Sequence, residues 1–540
     1  MRKCVVPAQR FVLLGVLCAF MVPSLAQKIN RFELVSRHNV KINKIDSLSS
    51  LSVGNGNFAF TVDATGMQSF PEAYVNGVPL GTQSVWGWHS FPNIEYLKIE
   101  EAQKVYELEG RKISYTVQPK EPERAKKAVE YFRVNPHRLQ LGNIGLEIKK
   151  KDGTLATAND IQKINQELNI WTGVIISNFA VEGIPVKVIT ACHQQQDIVA
   201  FRIESSLLHT KRIAVRIRFP YPNGQWKDVG TNFSRDEHHQ SILIQGGAET
   251  TIKHILDTTV YYTSLKWNET ATIKKQSDHY FIVQPQKVNE YFELTCQFSE
   301  RPGQVFVSSF ASVKESSVQG WKNFWLSGGA VDLSAVKDPR AFEIERRIVL
   351  SQYLTKIQCS SNYPPQETGL TYNSWYGKPH LEMHWWHAVH FAQWGRPELM
   401  EKSLDWYFTV AEKAALIAKR QGFEGLRWQK MTDNEGDEAP SSVGAFLIWQ
   451  QPHFIYMAEM LYRSKPGNEV LNKYKDLLFA TADFMASFPS YDPKTRKYKL
   501  GKGLIPAQEC FDPVTTFNPT YELVYWSWAL QKAQEWKQRL

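Results

Sequence analysis

Glu509 stands in the stretch Gly503-Leu504-Ile505-Pro506-Ala507-Gln508-Glu509-Cys510-Phe511-Asp512, ahead of Phe517-Asn518-Pro519-Thr520-Tyr521 and a Trp-rich segment. A short loop feeding an aromatic helix is a place of low polarity, which favours the neutral form of a carboxyl group and makes it a proton donor. Cleaving a glycosidic bond needs such a donor, because the leaving alkoxide is too basic to depart unprotonated. For any single Glu the default is a salt-bridged loop residue, so the surroundings decide.

Three further clusters carry polar chemistry. In the first, the loop Gly369-Leu370-Thr371-Tyr372-Asn373-Ser374-Trp375 leads to a predicted helix whose first turns hold His380, Glu382, His384 and His387. His380, His384 and His387 fall at i, i+4 and i+7 and could share a metal. The His-Glu-x-x-His pattern is absent, however, and a pocket of His and Trp for sugar hydroxyls fits equally well. The second cluster, Gly425-Leu426-Arg427-Trp428 through Asp433-Asn434-Glu435-Gly436-Asp437-Glu438, lacks the spacing of a calcium loop. It reads either as an exposed acidic loop or, with Arg427 and Trp428 beside Glu438, as sugar recognition. The third, Trp449-Gln450-Gln451-Pro452-His453, predicts a helix kinked at an internal Pro452 and open toward a cavity. Trp449 reads as packing; His453 fits packing or the polar face. No metal and no cofactor is expected.

The elements that must position these residues follow from composition and period. Arg2 and Lys3, the apolar run Phe11 to Val22 and Ser24-Leu25-Ala26 predict a signal peptide over 1–26 and an exported protein, periplasmic or extracellular. No later segment is long and apolar enough to span a bilayer. Cys192, Cys296, Cys359 and Cys510 are too scattered for a disulfide framework or a metal-ligand spacing. The net charge of +9 is spread along the chain without Lys/Arg blocks, which argues against nucleic acid as a partner. The 17 Trp, 22 Tyr and 29 Phe favour a carbohydrate partner, since flat aromatic faces stack on sugars.

Short alternating runs such as Ile213–Phe219, Tyr280–Val283 and Tyr291–Cys296, divided by turns such as Asn76-Gly77 and Pro222-Asn223-Gly224, predict a large antiparallel sandwich over 27–310. No helix is expected among its strands. A linker follows at 311–336, with Trp321, Phe324 and Trp325 on one helical face. Over 337–540 the period predicts about six helices, at 338–361, 380–394, 397–420, 444–464, 468–487 and 519–538.

Taken in order, these segments resemble glycoside hydrolase family 65 and its relatives among the six-hairpin glycosidases. The resemblance implies an N-terminal super-sandwich, a helical linker and an (α/α)6 barrel. The stretch Ile505-Pro506-Ala507-Gln508-Glu509-Cys510 looks like the family's Gly-Pro-Asp-Glu-Tyr loop, which implies Glu509 as general acid. Gly369 to His380 looks like its Gly-Leu-Thr…Gly-His segment, and Arg427 to Glu438 like its substrate loop. Leu381-Glu382-Met383-His384 replaces the family's Phe-Trp-Asp, and Gln508 replaces an Asp, which puts the donor sugar in doubt.

These readings combine into an exported inverting glycoside hydrolase or phosphorylase acting on oligo- or polysaccharide. Glu509 is the acid, and Trp375, His380, Glu382, His384, Arg427, Trp428, Glu438 and His453 bind substrate. Trp375, His380, Glu382, Trp428, Glu438 and Glu509 are expected at one end of the helical array. Six helices make half of a twelve-helix barrel, so the array is expected to be incomplete, to lack its base, and to expose part of Tyr521, Leu523, Trp526, Trp528 and Leu530. The alternatives are a non-catalytic carbohydrate-binding remnant and a polysaccharide lyase. Oligomeric state is left open.

Overall fold

The computed structural model describes residues 29–246, 249–302 and 308–540. The expected signal peptide, 1–26, lies outside the described residues.

A nine-stranded antiparallel sheet runs in the order Val40–Ile42, Gln162–Asn169, Val174–Val181, Ile184–Cys192, Ile198–Glu204, Phe292–Ser299, Thr259–Trp267, Glu249–Leu256, His239–Gly246. A four-stranded sheet, Thr270–Ser277, Tyr280–Lys287, Ile213–Arg218 and Asn143–Ile148, faces it. Strand alternation supplies the core between them. Phe281, Val283 and Pro285 point inward while Ile282 and Gln284 are half-buried. Phe201 and Leu294, paired across the large sheet, pack into one cluster with Val215 and Val283, paired across the small one.

The strand region is not free of helices. A short helix, Arg31–Ser36 (α1), precedes it, and the twelve-residue Glu123–Val134 (α2) interrupts it. Only Ala125, Ala128 and Val129 of α2 are buried, a stripe too narrow to stand out as a period among its charged neighbours. Phe310–Leu326 (α3) then docks on the large sheet through buried Trp321, Phe324 and Trp325. Its Ser317 hydroxyl donates to the Thr172 carbonyl at 2.8 Å and Trp325 Nε1 to the Ile170 carbonyl at 2.9 Å.

The helical array comprises Arg340–Cys359 (α4), His384–Gln393 (α5), Pro397–Thr409 (α6), Ala411–Arg420 (α7), His453–Ser464 (α8), Asn468–Ser487 (α9) and Thr520–Arg539 (α10). There are seven rather than six because 397–420 breaks at Val410 (φ −112°, ψ 8°). The Thr409 hydroxyl donates to the Trp406 carbonyl at 2.7 Å and satisfies one acceptor left free at the break. Pro452 does not kink a helix. It is the N-cap of α8, preceded by turns over 449–452, where its missing N–H removes no helical bond. α8 is central, touching α5, α6, α9 and α10. Of the expected exposed flank, Tyr521 and Leu523 are exposed, Trp528 and Leu530 half-buried, and Trp526 buried.

An ion cluster joins sandwich to helices. Glu345 of α4 accepts from Arg37 Nε at 2.7 Å and Nη2 at 2.9 Å, lies 2.6 Å from His38 Nε2, and accepts the Leu333 amide. Burial pushes this carboxyl up, but the Arg37, Leu333 and His38 bonds outweigh it and hold it below the ordinary glutamate value.

Candidate active site

The loop carrying Glu509 is pinned on its N-terminal side. The Ile505 amide donates to the Phe446 carbonyl at 3.1 Å, and the Ala507 amide to Glu522 Oε1, in the first turn of α10, at 2.8 Å. The Glu509 amide closes a turn onto the Pro506 carbonyl at 3.0 Å, with Glu509 at φ +61°. Trp375 (φ +48°) and Tyr376 (φ +61°) share this left-handed conformation, and such positions in non-glycine residues gather where structure is held for function.

The 380 and 430 segments meet in an isolated bridge between His380 and Met431, and the Leu381 amide donates to the Lys430 carbonyl at 2.8 Å. This register brings Glu382 beside Lys430. Lys430 Nζ lies 3.0 Å from Glu382 Oε1 and 2.7 Å from Glu509 Oε1, so one ammonium serves two carboxyl groups. The Glu382 and Lys430 side chains are 8% and 9% exposed, that of Glu509 40%. The apolar enclosure expected around Glu509 is therefore around Glu382. Burial pushes the Glu382 carboxyl up to about 7; Lys430 opposes the shift and the charges of Glu509 and Glu367 add to it.

Trp375 forms a wall of the site, its ring centroid 5.6 Å from Lys430 Nζ and 6.0 Å from that of His380. The sandwich half holds this wall: Arg133 of α2 lies 5.2 Å over the Trp375 ring, Trp226 meets it edge-on at 5.1 Å, and the Tyr376 amide donates to the Trp226 carbonyl at 3.0 Å. His453 sits behind, with Nε2 3.0 Å from the Glu382 carbonyl and Nδ1 3.0 Å from the Tyr525 hydroxyl. Burial lowers His453 and His380 each to about 3, so both are neutral imidazoles near pH 7.

The other expected site residues are placed differently. His380 precedes α5, so the three-histidine helical face does not form. His384 is buried with both ring nitrogens used, 3.0 Å from the Tyr407 hydroxyl and 2.8 Å from that of Ser403, and His387 meets the Glu367 carbonyl at 3.0 Å. Arg427 is buried and donates to the carbonyls of Trp428, Ala445 and Leu447. Trp428 packs edge-on against Tyr407 at 4.8 Å, and its Nε1 donates to the Thr481 hydroxyl at 2.9 Å. Both are part of the helical core. Glu438 accepts from Gln429 at 2.9 Å, Thr116 at 3.0 Å and Arg420. It borders a narrow slot shared with Trp375 and Lys430, and a separate cavity of about 630 Å³ near Lys378, Lys413 and Asp433. Lys430 lies inside the Arg427–Glu438 stretch, where its only sequence signal is a lysine two residues beyond Trp428 and ahead of four acids.

No known protein family and no curated protein matches this sequence. Among solved structures, the chain is similar to a candidate kojibiose phosphorylase from the human microbiome, with a TM-score of 0.65 at 11% identity. The likeness is one of fold. It covers 93% of this chain and 66% of that one, so the chain spans just under two thirds of that structure's length. A bacterial glucoamylase complexed with acarbose aligns at TM-score 0.44 and 10% identity, covering 93% of this chain and 70% of its own. The family GH92 inverting mannosidase from Bacteroides thetaiotaomicron aligns at 0.38 and 8%, covering 85% and 55%.

Proposed function

We propose that this chain is a carbohydrate-active enzyme, exported from the cell, that cleaves glycosidic bonds with inversion, using water or phosphate as acceptor. The observation that carries this reading is the buried Lys430 shared by Glu382 and Glu509 at the loop-bearing end of the helices. A fold like that of a candidate kojibiose phosphorylase supports it.

In this reading Glu509, the more exposed carboxyl, meets the substrate and protonates the departing oxygen. Lys430 stabilises the carboxylate that remains. The Trp375 face and the edge of Glu438 line the approach, and the neutral His453 holds the backbone of Glu382 in place. Arg427, Trp428 and His384 act by holding the helical core on which these groups stand.

The test is Glu509→Gln, assayed on a disaccharide panel with and without inorganic phosphate. Loss of general acid catalysis lowers turnover by roughly a hundred- to ten-thousand-fold, with the melting temperature unchanged. A drop of less than about tenfold on a poor leaving group removes Glu509 as the acid. Sugar binding by the wild type without turnover favours the binding remnant instead.

A further inference from the structure

The site holds two carboxyl groups against one cation. Both touch the same Lys430 Nζ, which keeps their nearest oxygens within about 6 Å of each other. Glu382 is walled in, and its backbone is fixed on both sides. Its amide faces the Lys430 carbonyl at 3.4 Å and its own carbonyl meets His453. Glu382 Oε2 takes no hydrogen bond from any described residue. The groups facing Glu382 are Lys430, Glu509 and Glu367, with neutral His453 behind its backbone; His380, also neutral, flanks Lys430. Two carboxylates at one site cannot both ionise freely when a single cation compensates one of them, and protons then belong to the pair rather than to either member.

We propose that Glu382 and Glu509 hold a single proton between them through Lys430, so that the pair, and not Glu509 alone, is the proton-donating unit, with Glu382 as its positioning member. This rests on the function proposed above and deepens it. With the proton on Glu382, the ammonium turns to an ionised Glu509. With the proton on Glu509, the ammonium neutralises Glu382 and Glu509 is ready to donate. On donation the Glu509 O–H bond breaks and an O–H bond forms on the departing oxygen as its bond to the anomeric carbon breaks; water or phosphate bonds that carbon from the opposite face, and an attacking water gives its spare proton to solvent. The charge left on Glu509 is met by Lys430, and a proton from solvent refills the pair.

The test is an infrared titration of the C=O stretch of protonated carboxyl groups, on the whole chain, from about pH 5 to about pH 9. The wild-type minus Glu382→Gln difference is expected to contain a band that disappears as pH rises through neutrality. In Glu509→Gln, Lys430 serves Glu382 alone, and the midpoint of that band is expected to fall by about one pH unit or more. A midpoint unchanged in Glu509→Gln, or no band lost in Glu382→Gln, overturns the proposal. Glu509 is an exposed position, so its variant keeps the test open even if Glu382→Gln fails to fold. The readout needs no substrate: an inactive wild type with the band shift intact defeats the proposed function and leaves this proposal standing.

Discussion

Two ion clusters in this chain surround their central, buried group in opposite ways. At the seam, the carboxylate of Glu345 is surrounded by donors: Arg37, which also reaches Asp332 at 2.7 Å, His38 and a backbone amide. At the site, one ammonium, Lys430, is divided between two carboxyl groups. A surplus of donors fixes a charge permanently and makes a strut. A surplus of acceptors leaves a proton to be moved, which a strut does not need and an acid catalyst does.

The contrast breaks most sharply by truncation. Glu345→Ala leaves His38 and the Leu333 amide without their acceptor and Arg37 with Asp332 alone, and is expected to lower stability by about 2–3 kcal/mol in urea unfolding. Glu382→Gln keeps shape and hydrogen bonding and is expected to lower it by about 1 kcal/mol or less. Equal losses would mean that both clusters are struts. A second comparison separates core from site within the same half: Trp428→Ala removes a fully packed ring and is expected to cost about 3–5 kcal/mol, whereas Trp375→Ala, half-buried, stays below about 1–2 kcal/mol. If Trp375→Ala proves the more damaging, the site wall is structural.

The smallest effect concerns pH. His380 and His453 are each held near 3 in the folded chain, against an ordinary value of 6.5. The unfolded chain therefore binds more protons below about pH 6.5, and folding is weakened as pH falls from there toward the folded value. From pH 7 to pH 6 the expected loss is about 0.5–1 kcal/mol per histidine, read from the shift in urea midpoint. Glu382, held near 7 when folded, contributes in the opposite sense over the same interval, so the loss is read against His453→Gln, and a pH dependence that this variant leaves unchanged would contradict the neutral burial of His453.

Much of the architecture was legible because it depends on local period. Tyr280 to Val283 alternates, and Trp321, Phe324 and Trp325 share a face, wherever the chain goes next. What failed depends on partners distant in sequence. Pro452 reads as a kink only if residues before it are helical, and they are turns tied to the 426–428 segment through Gln450 and Gln451. Arg427 and Trp428 have the chemistry of a sugar site, but which way they point is decided by Ala445, Leu447 and Thr481. Glu509 was expected to be the enclosed acid from its aromatic context, yet enclosure falls on Glu382, because the bridge between His380 and Met431 folds that segment under Lys430. Glu382 itself was assigned to the site from type alone.

The grip of Arg133 and Trp226 on Trp375 bears on how such proteins can be recombined. The sandwich is not an appendage that could be exchanged for another of similar shape. Any graft of the helical half onto a foreign partner must bring an aromatic and a cationic side chain to the same two points above Trp375, or the indole loses its backing beside Lys430. Exchange of modules across this boundary is thus constrained by the placing of two side chains beside the site as well as by the Glu345 cluster and the packed seam.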